Sequence, residues 1–383
     1  MMALKRAAGM AAVLLLAVSL TACSSLLFGP HDEQPAPPDP NGRYFILVEP
    51  KYDWVGRFSS GLMPVAMDGK YGFIDTEGNE VIPLTYDSTF FTFDGSIPVK
   101  KDGKWGYINH AGEQVVDFIY DEVTMEFEGM RGVSLDGLWG YLNEAGELAV
   151  PIKYETVSPF SDGLACVTVN GKFGFIDKAG VEVIPFQFDE VAYFSEGIAR
   201  VSLDGKRFFI DTTGAVVPTA HEIAGDFHGG LVAVTQDGKF GFINTEDEVI
   251  VDIIYENVDQ FLEGFSPVSI DGKWGYVDVS GTLVIPLTYD FAWFFLNGMA
   301  KVKSNGKTGF INPLGEVVID LAWQDARIFS DGVAGVQKGA RFWGFIDDQG
   351  TLIVDCIYDF VQESSEGFAG VGIDNKWGVI GFK

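Results

Sequence analysis

The chain has 383 residues, and its 54 acids against 26 bases give a net charge of −28. A surface this acidic repels phosphate backbones, because nucleic-acid affinity rests on cationic side chains replacing counterions, so nucleic acid is excluded as a partner. Attraction to cationic partners or divalent ions stays open, with a solvated acidic exterior that aids solubility as the default.

The N-terminus opens with Lys5 and Arg6, runs through an apolar stretch from Ala7 to Leu20, and closes on Leu20-Thr21-Ala22-Cys23. This is the layout of a cleavable secretory signal over residues 1–22, too short for a comfortable membrane span. The last four residues resemble the lipobox of bacterial lipoproteins, which implies cleavage before Cys23 and a diacylglyceryl group on its sulfur. Acyl chains contribute about 0.8 kcal/mol per buried CH₂, so several on one residue hold a protein at a membrane without a spanning helix. Ser24 and Ser25, with no aspartate after the cysteine, imply by the same resemblance the outer membrane of a Gram-negative cell. Residues 23–43 then carry Pro30, Pro35, Pro37, Pro38 and Pro40 among polar side chains, the composition of an extended tether.

From residue 44 to 383 the chain repeats. A glycine, preceded by an aromatic except at Thr308-Gly309, returns at Gly72, Gly106, Gly140, Gly174, Gly241, Gly275, Gly309, Gly344 and Gly378, with Phe209 standing in the fifth place, at intervals near 34 residues. Asp-Gly or Asn-Gly precedes eight of the ten sites, as at Asp68-Gly69, Asp102-Gly103 and Asn170-Gly171, and a second glycine turn follows in most copies, as at Gly78, Gly112 and Gly281. Asp-Gly between β-branched and aromatic runs is a strong hairpin signal, because a type I′ turn needs positive φ at both central residues. A third landmark is an aromatic followed by an acid, as at Tyr52-Asp53, Tyr86-Asp87 and Tyr289-Asp290. The unit therefore reads as a three-stranded antiparallel meander. Helical repeats of the same length are rejected, since few stretches lack glycine or proline for the roughly 10 to 12 residues a helix needs.

Lys104-Trp105-Gly106-Tyr107-Ile108-Asn109 and Lys273-Trp274-Gly275-Tyr276-Val277-Asp278, each followed by a glycine turn, resemble the bacterial WG-containing repeat, also called the KWG repeat. The resemblance covers residues 44 to 383 and implies an all-β repeat domain, often in envelope proteins and mostly without assigned activity. Its signature positions here are Tyr71-Gly72, Trp105-Gly106, Trp139-Gly140, Phe173-Gly174, Phe240-Gly241, Trp274-Gly275, Thr308-Gly309, Trp343-Gly344 and Trp377-Gly378. The most eroded copy is Lys206-Arg207-Phe208-Phe209-Ile210-Asp211, followed by Ala220-His221-Glu222 where an aromatic and an acid are expected.

Few residues suggest chemistry. No nucleophile elbow, His-Glu-x-x-His pair or phosphate-cradling loop occurs, so no catalytic residue and no cofactor is assigned. His221 and His228 fall beside Glu222 and Asp226 in the eroded copy, the one polar cluster that breaks the repeat, and drift explains it more simply than a catalytic base. No run shows the compact oxygen-ligand spacing of a calcium loop, so no metal site is assigned. Beyond Cys23 only Cys166 and Cys356 remain, at different phases of the repeat, which predicts two separate buried thiols.

Phe58, Phe93, Phe127, Phe160, Phe194, Phe227, Phe261, Phe295 and Phe329 recur at matched phases. Matched phases predict matched environments, a core continuous from copy to copy, each ring contributing about 1.5 to 3 kcal/mol. Tyr44 to Asp53 supplies only the last strand of a unit and Phe368 to Lys383 only the first two, so the termini together complete one unit. The fold expected is all-β, about ten three-stranded meanders in an open, solenoid-like superhelix. The alternative is a closed propeller-like ring completed by the two termini; ten blades exceed the usual four to eight. The function expected is non-catalytic: a lipid-anchored protein of the bacterial envelope, attached to the membrane through its N-terminal lipid. Its repeat surface would bind another envelope protein or an extracellular ligand. A carbohydrate or peptidoglycan module with weak hydrolytic activity is the alternative.

Overall fold

Residues 62 to 86 show how one repeat folds. Strand Leu62–Met67 turns at Asp68-Gly69, both at positive φ, into strand Lys70–Asp75, which turns at Gly78 into strand Glu80–Tyr86. A fourth, two-residue strand, Trp54–Val55, pairs ahead of them, giving the order first to fourth in chain sequence. In the computed structural model, which describes residues 42–90 and 96–383, ten such sheets follow one another. They span 54–86, 88–120, 122–154, 157–188, 190–217, 222–255, 257–289, 291–323, 325–358, and 360–382 joined by 44–52; they are blades 1 to 10 below. In blade 4 the first strand is reduced to one bridge, Val157 to Val167. The expected three-stranded unit is thus corrected to four strands. The extra pairing was hidden because in most blades this strand is two residues long, too short to carry periodicity, although it reaches six residues at Glu122–Phe127 and Phe291–Leu296.

The array closes. Strand Tyr44–Tyr52 pairs antiparallel with Lys376–Phe382, from Tyr44 opposite Phe382 to Tyr52 opposite Trp377, and so becomes the fourth strand of blade 10. Glu366 of blade 10 also accepts hydrogen bonds from Ser60 and Gly61 of blade 1, and Lys376 pairs with Asp53 at 2.5 Å. The open superhelix is therefore overturned in favour of the ten-bladed ring. A loose end would leave two unpaired sheet edges, and closure removes both. The leader, Cys23, the tether up to Asn41, and Phe93 lie outside the described residues.

The glycine of each Trp-Gly pair has a specific task. Tyr71 lies opposite Tyr86 and Phe73 opposite Ile82, so two steps on the third strand span four on the fourth. The resulting bulge presses backbone onto the glycine: a Cβ on Gly72 would stand 2.5 Å from the Ile82 carbonyl oxygen, and one on Gly275 only 2.3 Å from that of Ile285. Pro83, Pro151, Pro185 and Pro286 fall in these bulges, where no ladder hydrogen bond is lost. The eroded copy supplies the counter-example. Val201 pairs with Phe208 where Val65 pairs with Gly72, so the residue in the glycine place is Phe208, not Phe209. A phenyl ring there excludes the bulge, and the fourth strand shrinks to Val216–Val217.

Apolar side chains fill the space between blades. Phe160, Phe194, Phe227, Phe261, Phe295 and Phe329 are buried, each meeting an aromatic ring of the preceding blade. Tyr141 to Phe160, Phe242 to Phe261 and Phe310 to Phe329 have centroids 4.9, 4.8 and 4.7 Å apart in edge-to-face geometry. Such pairs add about 0.5 to 1.5 kcal/mol beyond burial. Phe127 is not part of this series. Phe127 stands directly before the turn Glu128-Gly129, whereas Phe295 stands one residue further from Asn297-Gly298, so Glu126 occupies the slot that Phe295 fills in blade 8, and Phe127 stays half-buried. In blade 10 the slot holds Ser364, and Phe382 packs on Phe345 instead.

Candidate functional site

Two sets of side chains that recur around the ring hold it together. The lysine before the Trp-Gly pair reaches the acid after the fourth strand, Lys70 to Asp87 at 2.6 Å and Lys273 to Asp290 at 2.6 Å. The acid's second oxygen accepts the backbone N–H of the next blade's hairpin, Gly103 to Asp87 at 3.0 Å and Asn305 to Asp290 at 2.6 Å. Both contacts hold these aspartates below the ordinary 3.8, the lysine hydrogen bond contributing most.

A second set joins the turns after the first strands. Glu128, Asp162, Glu196, Glu263, Asp331 and Glu366 sit at φ of 50 to 56°, a region costly for side-chain-bearing residues. Their carboxylates cap the same turn of the next blade, as Glu196 accepts from Gly229 at 2.7 Å and Gly230 at 2.8 Å. These turns, together with the first strands that lead into them, are called the hub below.

The signature tryptophans belong to the scaffold. Trp105, Trp139, Trp274, Trp343 and Trp377 lie opposite Tyr120, Tyr154, Tyr289, Tyr358 and Tyr52, and none is exposed. Tyr71, Phe173, Phe240 and Thr308 take the same place. The one exposed tryptophan, Trp293 at 38%, lies outside the signature, near the hub end of blade 8.

At the hub the copies stop resembling one another. The place held by Trp293 is held by Gly56, Thr124, Ser158, Arg327 and Gln362 in other blades, and that of Lys301 by Pro64, Gly132, Cys166, Arg200 and Gly335. Blades 8 to 10 and blade 1 make a basic, aromatic sector. Lys301 Nζ lies 4.4 Å from the Trp293 ring centroid, donates to the Ala326 carbonyl at 2.9 Å and stands 3.7 Å from Asp325. The Arg327 guanidinium sits 5.0 Å from the Trp343 ring centroid, and Arg57 is paired with Glu363. Burial lowers the pKa of all three cations. Across the hub, Phe90, Val123, Thr124, Met125, Phe127 and Pro159 line a mostly apolar hollow of about 220 Å³.

The residues singled out in the eroded copy do not converge. His221 Nδ1 lies 3.0 Å from Asp247, which also accepts from Thr219 at 2.6 Å and from the Ala220 backbone at 2.9 Å. Asp226 instead pairs with Arg200 at 2.9 Å, and Glu222 is exposed. Asp247 replaces the usual turn glycine, and its contacts hold a segment whose strand has been lost. Glu126 pairs with Arg131 at 2.6 Å beside a cavity of about 360 Å³; the Arg131 guanidinium also lies 5.2 Å from the Tyr107 ring centroid, where blades 4 to 9 each set a phenylalanine against a ring of the blade before. Cys166 and Cys356 are both free; Cys166 is buried, which pushes its thiol up to about 12, and Cys356 is half-buried.

Trp293, Lys301, Arg327 and Arg57 escaped the sequence reading, which weighed what recurs. The signal was present as departure: once the copies are aligned by strand register, these are the positions where they disagree most.

The WG containing repeat family matches residues 46–71, 71–105, 105–139, 139–173, 173–206, 240–274, 274–307, 309–341 and 343–377. No curated protein matches by sequence. Among solved structures, a eukaryotic initiation factor aligns at 12% identity over 91% of this chain and 98% of its own, with a TM-score of 0.46. BamB from Moraxella catarrhalis aligns at 12% over 87% and 98%, TM-score 0.35, and Hsv2p from Kluyveromyces lactis at 10% over 58% and 91%, TM-score 0.34. With nine matched segments covering most of its length, and the glycine of the signature bearing the strand bulge of the blade, the chain belongs to the family of WG-containing repeat proteins.

Proposed function

We propose that this protein is a non-catalytic binding module of the bacterial envelope. Cys23 carries the lipid that holds it at the outer membrane, and the hub of its ring engages another envelope protein or an extracellular ligand. One observation carries the reading: side chains that recur around the ring are spent on holding blades together, whereas first-strand positions at the hub vary from blade to blade and leave the Trp293 ring open to solvent. Arrays of this kind present extended surfaces and diversify them without cost to the fold. The carbohydrate reading needs a row of solvent-facing tryptophans, and only Trp293 is exposed.

In-cell crosslinking of the anchored protein, comparing the natural chain with Trp293→Ala, tests the hub. A specific envelope component should be captured by the first and reduced by the second. Recovery of none under several growth conditions overturns the binding role. For the anchor, Cys23→Ser should release the protein from the membrane fraction, and unchanged association refutes it.

A further inference from the structure

Within this strongly acidic chain, the basic sector of the hub is an anomaly that its own contacts do not resolve. Arg57, Lys301 and Arg327 come from blades 1, 8 and 9. Lys301 donates to the Ala326 carbonyl beside Arg327, Arg57 pairs with Glu363 beside Gln362, and Arg327's charge lowers the pKa of both Arg57 and Lys301, so Arg327 stands within electrostatic reach of each. Two carboxylates serve the three, Glu363 on Arg57 and Asp325 on Lys301 with Arg327 also in its field, so the sector carries one positive charge in excess. Like charges held together in a partly buried place oppose folding, and an arriving anion relieves them.

Two further groups lack partners. Arg327 Nε and Gln362 Oε1, at equivalent places in adjoining blades, are buried with no hydrogen bond; the other end of the Gln362 amide donates to the Val55 carbonyl at 2.9 Å. Each such atom costs about 1 to 3 kcal/mol. Gly335 and Gly370 clear the space: a Cβ on Gly335 would stand 3.0 Å from Arg327 Cγ, and one on Gly370 2.5 Å from Gln362 Oε1. Trp293, 38% exposed, offers an apolar face at the edge of the sector.

One excess positive charge, one unfilled donor, one unfilled acceptor and one exposed ring ask for a ligand with a single carboxylate, an N–H and an apolar side chain. Resting on the hub as the binding surface, we infer that the sector formed by Arg57, Lys301, Arg327, Gln362 and Trp293 captures the C-terminal carboxylate of a partner polypeptide ending in an apolar residue. The carboxylate lies between Arg57 and Arg327, the last peptide N–H turns to Gln362, and the terminal side chain covers Trp293. Main-chain termini are recognised elsewhere by this combination of charge and backbone hydrogen bonding. A polyanion would bring several charges to a place with one to spare, against the field of the remaining acidic surface.

The test uses the full chain and a dye-labelled peptide ending Gly-Ser-Gly-Ala-Phe, with a free carboxylate in one arm and a C-terminal amide in the other, read by fluorescence anisotropy. The free acid should bind and the amide bind about tenfold more weakly or worse. Arg327→Met and Arg57→Gln should each weaken the free acid by about tenfold, and Trp293→Ala by less. Val216→Thr, on an exposed fourth strand, should change nothing. Melting temperatures within about 2 °C of the natural chain establish that the variants are folded. Equal binding of acid and amide, undiminished binding by folded Arg327→Met, no binding up to about 1 mM, or complete displacement by equimolar inorganic phosphate each overturns the assignment. If the peptide fails while Trp293→Ala still weakens the in-cell crosslink, the hub remains a binding surface and only the carboxylate assignment falls.

Discussion

Between neighbouring blades, the same chemistry recurs: lysine to acid, acid to hairpin N–H, ring against ring. At the hub, a few ångströms along the same strands, tryptophan, arginine, glycine and serine take equivalent places. Ten copies in one chain make this an internal experiment, in which a position that stays the same is constrained by its neighbours and a position that varies is not. The blade contacts show what the ring needs in order to stand. The hub shows where it is free to be used.

Removing the closing strand attacks the constrained region hardest. A chain beginning after Tyr52 leaves blade 10 with three strands and two open edges, and its melting temperature should fall on the order of 10 °C, with aggregation detectable by light scattering. Gly275→Val drives a side chain into the Ile285 carbonyl and should cost more than about 3 kcal/mol in denaturant titration. Phe261→Ala, emptying one inter-blade slot, should cost about 3 to 5 kcal/mol. Retention of wild-type stability by either would separate the repeat signature from the fold.

Acid should act more gently and across many blades at once. Asp53, Asp87, Asp121, Asp189 and Asp290 have pKa values lowered below 3.8, first by their lysine partners and then by the backbone N–H they accept. Below that value the unfolded chain binds more protons than the folded one. The contribution is therefore complete above about pH 4 and is lost as pH falls through the depressed values. Thermal melts between pH 5 and pH 3 should show this, and Lys273→Met should shrink the acid effect. An unchanged acid response in that variant would remove the lysine from the account. Smallest of all, Trp293→Ala at the hub should cost only about 1 kcal/mol of stability, the order of its contact with Lys301, while altering capture of the partner. A large loss of stability there would erase the distinction between hub and scaffold.

The sequence displayed much of this scaffold in advance. A 34-residue period with fixed Asp-Gly turns has few folded solutions, and the split of one unit between Tyr44–Asp53 and Phe368–Lys383 marked the seam where the ring joins. Single-residue offsets were not legible. Spacing alone puts Phe127 in phase and Phe209 in a glycine place, yet strand pairing puts Glu126 and Phe208 there. Adjacent positions on a strand face opposite ways, and spacing counts alone do not say which of two neighbouring aromatics points inward.

What the chain determined by itself was the unit, because turn chemistry and alternation act between residues close in sequence. Closure, and the gathering of Arg57, Lys301 and Arg327 into one sector, were decided by the tertiary structure. Arg57 and Arg327 are far apart along the chain and meet only because the curvature of each blade interface, summed over ten blades, returns the last strand to the first. A sum of small angles is written in no single repeat.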